Sequence, residues 1–231
     1  MPPVEITPIS GLREEIWCRS AIRARVTWKS EITQWSRIPK HGTTLLINLL
    51  DNSGEITVVI FDDLCAAFFP RLLTGYVYDF FNFKVSKEQE NLEILSNPLQ
   101  IFFDDTTVVQ QSTQNSDIPL VRNNFLPLSE VSGVPERMPV DVIGVCTEVR
   151  QVDERGGYII REIMLIDGTH RPVRLNLWDK MAREFQGEVN DVIMAKGARV
   201  LSDNNEKKLN ANWYTNLQIN PNIPEAISLR D

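Results

Sequence analysis

The sequence predicts an all-β protein built from two similar domains, because one strand–turn–strand pattern occurs twice. The first copy occupies residues 49–61 and the second residues 165–178, and each has a glycine in its turn. Each copy ends on an aromatic residue, Phe61 or Trp178, and an aspartate follows. Apolar and polar residues alternate in the second copy, as in a half-buried strand. A chain of 231 residues accommodates two ordinary domains.

The elements of the first domain, residues 1–108, follow in order. A strand over residues 22–29 alternates apolar residues with a cationic outer face that carries Arg23, Arg25 and Lys29. A loop at residues 36–42 leads to the second strand, and the repeated turn leads to the third. Asp62 or Asp63 caps a short helix that ends near Pro70. The fourth strand is expected around residues 76–85 and the fifth at residues 92–95 or slightly beyond.

The second domain, residues 125–231, repeats this order after a polar linker at residues 109–124. The linker has neither helical nor strand periodicity and contains Pro119. Strands are expected at residues 140–150, 158–166, 173–178, 192–200 and 209–217, with a helix at residues 179–185. Five strands with a helix between the third and the fourth is the order of an OB-fold, a small barrel that binds oligonucleotides. The prediction is therefore two tandem OB-folds.

Composition excludes several classes of protein. The net charge of −7 argues against a protein that coats nucleic acid through its overall field, so any such binding needs a local patch. No apolar run approaches the ~20 residues of a membrane span, and no secretory signal is present, so we expect a soluble intracellular protein. Three unpaired cysteines, Cys18, Cys65 and Cys146, and two histidines indicate buried free thiols and no metal or cofactor.

An enzymatic function is not expected. The acidic doublets 14–15, 62–63 and 104–105 are adjacent residues that point apart on a strand or serve as helix caps. The sequence has no serine, cysteine or histidine in a recognisable nucleophile setting and no Gly-rich phosphate loop followed by lysine. The partner that we expect is therefore a macromolecule and not a small-molecule substrate.

Trp178 is the residue that points most directly to nucleic acid. Alternation places Arg174, Asn176 and Trp178 on one face of their strand, opposite three aliphatic residues. A tryptophan with a cationic and hydrogen-bonding neighbourhood suits the stacking of single-stranded bases. The alternative is that Trp178 closes the end of the barrel, and Phe61 has core packing as an alternative. Trp28 and Trp213 are interpreted as core residues.

Together these residues resemble the central pair of single-stranded-DNA-binding OB domains of the replication protein A large subunit. The resemblance follows the chain in order through residues 24–30, 50–56, 141–146, 196–200 and 220–226. It implies an aromatic residue at the end of strand three in each domain, and Phe61 and Trp178 match those positions. Family members continue into a third, zinc-containing OB domain, so the sequence is expected to be part of a longer protein.

The resemblance also implies a second stacking aromatic in each domain, which this sequence lacks. Leu92 stands at that position in the first domain and Asp203 or Asn204 in the second, and Thr33, Thr57 and Ser86 replace basic residues. The candidate DNA-binding set comprises aromatic, basic and amide side chains: Phe61, Trp178, Trp35, Arg25, Lys29, Arg37, Lys40, Arg174, Asn176, Arg199, Lys207 and Lys208. For Trp35 the alternative is packing under its own loop, and for the basic residues it is a solvated surface.

The expected function is single-stranded DNA binding with little sequence preference, in replication, repair or recombination in the nucleus. Bases stack on Phe61 and Trp178, and a flexible linker lets the second domain capture DNA that the first already holds. Expected partners are single-stranded DNA and other replication protein A-like subunits or repair and recombination proteins. The alternative is a diverged paralog that acts mainly as a protein-interaction scaffold in a meiotic or telomere complex.

Overall fold

The fold is that of a computed structural model that describes residues 5–18, 21–37, 39–87, 94–113, 117–203 and 206–230. For residues 16–18, 37 and 155 it describes the backbone alone. Contacts divide the chain into two compact units, Met1–Arg122 and Asn123–Asp231, called here the first and second barrels.

The first barrel opens with a 3-10 helix at Ile9–Gly11 and is otherwise mostly strands. Its elements are β1 (Glu15–Cys18), β2 (Ile22–Lys29), β3 (Thr33–Arg37), β4 (Lys40–Leu50), β5 (Glu55–Phe61), α1 (Asp63–Phe68), β6 (Val77–Phe81), β7 (Phe83–Lys87), β8 (Leu99–Phe102) and β9 (Val108–Gln111). The sheet runs β1-β7-β8-β5-β4-β2-β6-β9, with β3 paired to β4. Strand β7 continues β6 after Asn82, so the sheet curls and closes on itself.

The second barrel repeats this plan, except that one continuous strand, Val192–Asp203, takes the place of β6 and β7. Its elements are a 3-10 helix (Leu128–Gly133), β10 (Pro139–Val149), β11 (Asp153–Arg155), β12 (Tyr158–Ile166), β13 (Val173–Trp178), α2 (Asp179–Glu184), β14 (Val192–Asp203), β15 (Glu206–Ala211), β16 (Asn216–Ile219) and α3 (Pro224–Ser228). The sheet runs β10-β12-β13-β15-β14-β16, and β10 also pairs with β14, which closes the barrel. The predicted pair of tandem OB-folds is confirmed.

Period-2 alternation sets the core of each barrel. In β13 the aliphatic residues Val173, Leu175 and Leu177 point inward, as the sequence predicts. In β5 the inward residues are Ile56, Val58 and Ile60. Cys65 and Cys146 are buried, and burial raises the pKa of both thiols, which keeps them neutral near pH 7.

The repeated turn has one structural role in both barrels. Asp51 Oδ2 accepts a hydrogen bond from the Ile9 amide (2.7 Å), and Asp167 Oδ2 accepts one from the Leu128 amide (2.8 Å). The other carboxylate oxygen of Asp167 accepts from the Thr169 amide within the turn itself. Each aspartate therefore orders its own turn and ties the turn to the 3-10 helix that enters the barrel.

Asp167→Ala is expected to destabilise the protein by about 1–2 kcal/mol at neutral pH, because the variant loses these hydrogen bonds. Burial acts to raise the pKa of Asp167, but hydrogen bonds from Thr169 and Leu128 outweigh it and lower that pKa below its ordinary value. The ionised carboxylate thus stabilises the fold above the unfolded pKa of about 3.9, and this contribution is lost as the pH falls through the folded value.

Urea unfolding at pH 7 and at about pH 3 measures this effect. The difference in unfolding free energy between the wild type and Asp167→Ala should shrink at the lower pH. Glu154→Ala, which changes an exposed acidic residue of β11, is the control and should be nearly neutral. An Asp167→Ala difference that is the same at both pH values would contradict this role.

The structure corrects the sequence expectations for the fifth strand of the first barrel, for the linker and for Trp28. Ile94 and Leu95 lie outside any strand, and β8 takes the predicted place of the fifth strand, preceded by a turn in which Asn97 Oδ1 accepts from the Leu99 amide (3.0 Å). Residues 109–111 of the predicted linker belong to β9, which pairs with β6. Trp28 is only partly buried because a register shift between Val26 and Trp28 moves it off the inward face.

Candidate nucleic-acid interface

Phe61 and Trp178 occupy equivalent positions at the ends of β5 and β13. The next residue in each case, Asp62 or Asp179, has a positive φ of 52° or 48°, which turns the chain sharply away from the sheet. Both carboxylates accept a hydrogen bond from the neighbouring strand, from the Thr43 amide (3.1 Å) and the Ile159 amide (3.3 Å). These aspartates thus fix the aromatic strand ends. Asp62 is the N-cap residue of α1, one of the two predicted, but its side chain makes no capping hydrogen bond.

Trp178 is partly buried on the outer face of the second barrel, the face of β12, β13, β15 and β14 that points away from the core. Its ring meets Tyr158 edge to face, with centroids 6.1 Å apart at 84°. In the amide orientation that satisfies both groups, Asn210 Oδ1 accepts a hydrogen bond from Trp178 Nε1 (3.2 Å). Trp178 therefore lies in a defined orientation beside a second, exposed aromatic ring.

Tyr158 follows a tight hairpin whose geometry depends on glycine. Arg155 pairs with Tyr158 across a two-residue turn, Gly156–Gly157, and both glycines have positive φ values of 59° and 85°. This is the backbone that a two-residue hairpin of the right twist requires and that glycine adopts without strain. The hairpin of β11 and β12 presents Tyr158, 59% exposed, next to Trp178.

A ladder of buried polar side chains crosses the outer face of the second barrel. Strand register pairs Glu162 with Asn176, Asn176 with Asn210, and Asn210 with Arg199. The Asn176 and Asn210 amides are in contact at 3.2 Å. Because strand neighbours share a face, these four residues form one polar stripe on β12, β13, β15 and β14. Two of them, Asn176 and Arg199, were predicted site residues, and sequence reasoning missed the other two.

The first barrel carries an equivalent ladder in which every residue is neutral. Register pairs Asn48 with Thr57, Thr57 with Gln100, and Gln100 with Ser86. Thr57 donates its hydroxyl hydrogen to Asn48 Oδ1 (3.1 Å). Ser86 thus holds the position that Arg199 holds in the second barrel, so the outer face of the second barrel is the more cationic at this point.

Phe61 is partly buried and lies near a second phenylalanine. Its ring is 6.4 Å from that of Phe102, with an angle of 17° between the planes. Phe102 pairs with Lys84 across β7 and β8, and Lys84 Nζ forms an ion pair with Asp104 (3.1 Å). Phe102 is a partly buried aromatic residue at this end of the face that sequence reasoning did not select.

Trp35 lies against the hairpin of β3 and β4. It pairs with Gly42, and a Cβ at Gly42 would lie 2.7 Å from Trp35 Cζ2 and 2.4 Å from Asp62 Oδ1, so only glycine fits beneath the indole. Trp35 is partly buried by this contact and lies beside the aspartate that follows Phe61. Lys40 is exposed on the same hairpin, and the side chain of Arg37 lies outside the described part of the structure.

Two predicted phosphate contacts have other partners in the structure. The Arg25 guanidinium is buried and donates to the backbone carbonyls of Gly75, Ile118 (2.6 Å) and Pro119 (3.0 Å). Lys29 Nζ donates to the carbonyls of Phe69 (2.8 Å) and Leu72 (2.9 Å), where desolvation lowers its pKa. Arg25 thus anchors residues 118–119 to the first barrel, and Lys29 satisfies carbonyls after α1.

Arg25→Ala should release residues 118–119 from the first barrel, because three carbonyls lose their donor. We expect chymotrypsin to cleave after Leu120 several-fold faster in this variant, since proteolysis of a folded chain follows local opening. Lys29→Ala is the matched control. It also removes a cation from β2, but that cation donates to the carbonyls of Phe69 and Leu72 and not to residues 118–119. Equal cleavage rates in Arg25→Ala and the wild type would contradict the anchoring role.

The remaining basic candidates lie on or beside the outer face of the second barrel. Arg174 Nε is 3.9 Å from Glu162 Oε2, and the same oxygen accepts from Arg150 (2.8 Å). Lys208 forms an ion pair with Asp203 (2.6 Å). A cavity of ≈ 500 Å³ opens beside this face, and its lining includes Arg171, Arg174, Lys207 and Lys208.

Leu92 and Asn204, at the expected positions of the second aromatics, lie outside the described residues. Among the residues that the structure does describe, none cluster as three or more potential metal-ligating His, Cys, Asp or Glu side chains. Over the same ranges, no helix has the length and apolar character needed to cross a membrane.

Comparisons with known proteins agree with this architecture. The sequence model of the family described as "Replication protein A OB domain" matches residues 128–220, most of the second barrel. The replication protein A 70 kDa DNA-binding subunit of Drosophila melanogaster is 34% identical over 233 residues, which cover 96% of this chain. The match covers 38% of that relative's length.

Solved structures give the same result at the level of the fold. A chain of a replication protein A heterotrimer bound to ssDNA superposes with a TM-score of 0.68 at 32% identity, covering 97% of this chain and 54% of that one. The p204 HINb domain, 10% identical, superposes with a TM-score of 0.56, covering 90% of this chain and 100% of that one, and shows a shared fold alone. On these matches, the chain is a replication protein A-like protein with two tandem OB domains.

Proposed function

We propose that the two barrels bind single-stranded DNA in DNA replication, repair or recombination, and that the protein acts in the nucleus. The observation that carries the proposal is the duplicated arrangement of an aromatic strand end, Phe61 or Trp178, beside a polar ladder. Aromatic side chains stack bases irrespective of sequence, and amide and basic groups beside them contact the backbone. The DNA-binding and ssDNA-bound descriptions of the relatives favour this function over a protein scaffold.

In this proposal the residues divide by role. Phe61 and Trp178 stack bases, with Trp35 beside the first and Tyr158 beside the second. Basic groups contact phosphates: Lys40, Arg37, Arg174, Arg199, Lys207 and Lys208. Asn176 is buried against Asn210, the residue that bonds Trp178, and in this proposal it positions the stacking platform. Arg25 and Lys29 are left out of the contact set because backbone carbonyls already occupy their hydrogen-bonding groups.

Two barrels on one chain give avidity without new contacts. Once one barrel holds a strand, the second barrel meets that strand at an effective concentration set by the connecting segment. Because Arg25 anchors residues 118–119, the free part of this segment is shorter than the predicted linker of residues 109–124. We also propose that other replication protein A-like subunits are partners, since the solved relative is a heterotrimer.

A competition between single-stranded and duplex DNA tests the proposal. A labelled oligo-dT of about 35 nucleotides is long enough for two OB domains that each occupy roughly 4–16 nucleotides. Unlabelled single strands should displace it well, and duplex of the same length and sequence composition should displace it poorly. Absence of binding to oligo-dT at low salt would contradict the proposal and favour the scaffold alternative.

A further inference from the structure

Trp213 lies at the turn between β15 and β16 and is 48% exposed. The sequence interpretation of Trp213 as a core residue is therefore wrong. Its ring meets that of Tyr214 edge to face, with centroids 5.4 Å apart at 76°. Tyr214 is buried, so the pair consists of an inner ring fixed in the barrel and an outer ring presented to solvent.

The aromatic pair is continuous with the outer face of the second barrel. The Arg199 guanidinium lies over the Tyr214 ring, 5.3 Å from its centroid. Arg199 is the last rung of the polar ladder, and its strand partner Asn210 is the residue that bonds Trp178. Trp213 is three residues beyond Asn210, a separation of at most about 10 Å along a strand. A chain of contacts through Asn210, Arg199 and Tyr214 thus connects Trp178 with Trp213.

Hydrogen bonds hold the turn that carries Trp213 in one conformation. Thr215 Oγ1 accepts from the Asn212 amide (3.0 Å), and the Thr215 amide donates to the Asn212 carbonyl (2.8 Å). Asn212 Nδ2 donates to the Tyr214 hydroxyl (2.6 Å). Thr215 is itself buried, and its hydroxyl also donates to the Gly197 carbonyl (3.3 Å). A platform on a turn that is ordered before binding loses less conformational entropy when a base stacks on it.

We propose that Trp213 is a second base-stacking platform of the second barrel and takes an unpaired base of single-stranded DNA. Arg199 then lies between Trp178 and Trp213, where its charge attracts the phosphates that join the stacked nucleotides. The proposed platform follows β15, at the same end of the sheet as Trp178, whereas Asp203 or Asn204, at the expected position of the second stacking residue, precedes that strand. The inference rests on the proposed function, because both platforms act on one strand.

Fluorine NMR of the full chain labelled with 5-fluorotryptophan tests the contact directly. The chain has five tryptophans, and the variants Trp213→Phe and Trp178→Phe assign two of the resonances. Oligo-dT should shift both resonances in the wild type. A shift at Trp178 with none at Trp213 would overturn this inference and leave the proposed function standing. No shift at either, together with no binding, would overturn both.

Affinity measurements with Trp213→Leu separate base stacking from other effects, since leucine keeps apolar bulk without an aromatic face. We expect oligo-dT to bind about 5- to 100-fold more weakly, while an abasic oligonucleotide of equal length is bound with nearly unchanged affinity. Val189→Ala, another exposed apolar residue of this barrel ahead of β14, is the control and should bind like the wild type. Unchanged oligo-dT affinity, or an equal loss for both oligonucleotides, would overturn the stacking role.

Discussion

Trp178→Ala should weaken binding of oligo-dT by about 1–3 kcal/mol and leave the second barrel folded. The indole lies on the outer face, partly exposed beside Tyr158, whereas the same strand fills the core with Leu175 and Leu177. Its removal therefore eliminates a base-stacking surface without opening a cavity in the core. Fluorescence anisotropy of the labelled oligonucleotide measures the loss.

If Trp178 instead closes the end of the barrel, the variant should lose stability and keep its affinity. A buried tryptophan replaced by alanine would lose roughly 3–5 kcal/mol of stability, so thermal unfolding of the same variant distinguishes the two roles. Trp178→Phe is the conservative control, because it keeps a smaller aromatic face while it removes the hydrogen bond to Asn210. A large fall in melting temperature with unchanged affinity per folded molecule would rule out stacking by Trp178.

Phe61→Ala should produce a loss of similar size from the first barrel, about 1–3 kcal/mol of oligo-dT affinity. Phe61 and Trp178 lie in separate barrels, so their effects on direct contacts should be nearly additive in the double variant. The expected loss in Phe61→Ala/Trp178→Ala is therefore roughly 2–6 kcal/mol, measured by the same anisotropy titration.

The first barrel supplies a matched control for Phe61→Ala. Tyr76 is an exposed aromatic residue just ahead of β6, away from the strand end that carries Phe61. Tyr76→Ala should bind oligo-dT like the wild type. If Tyr76→Ala and Phe61→Ala lose equal affinity, the effect belongs to a general change in the first barrel and not to stacking at Phe61.

The sequence predicts the two OB-folds because the features that specify them are local and repeated. Period-2 alternation in β13 and the turns at Asp51 and Asp167 are readable from a few adjacent residues. The place of the fifth strand in the first barrel is not, because Ile94 and Leu95 have the same apolar character as β8. Only pairing of β8 with β5 and β7 distinguishes them, and that pairing joins residues distant in sequence.

The candidate site was predicted in part for the same reason. Trp178 and Phe61 stand out because each ends a strand and is followed by aspartate. The partners of Arg25 are carbonyls of Gly75, Ile118 and Pro119, far away in sequence, so no local pattern identifies them. The polar ladder has one signal in the sequence, a single amide residue inside an otherwise apolar strand, as at Asn48 and Gln100.

Trp213 was misassigned because alternation does not continue through a turn. The strand β15 ends at Ala211, and hydrogen bonds between Asn212 and Thr215 form a turn that interrupts the strand before β16 continues along β14 in the same direction. The direction of a side chain in that turn follows from the turn and not from the parity of the preceding strand.

The most direct test of DNA binding by the basic side chains beside Phe61 and Trp178 is the affinity for labelled oligo-dT across a series of salt concentrations. If four to six basic side chains contact phosphates, log K should fall against log salt with a slope of roughly −3 to −4, at about −0.7 per contact on a single strand. The acidic overall charge of −7 makes a local patch necessary for such a slope. A flat response, or no binding at the lowest salt, would contradict the account.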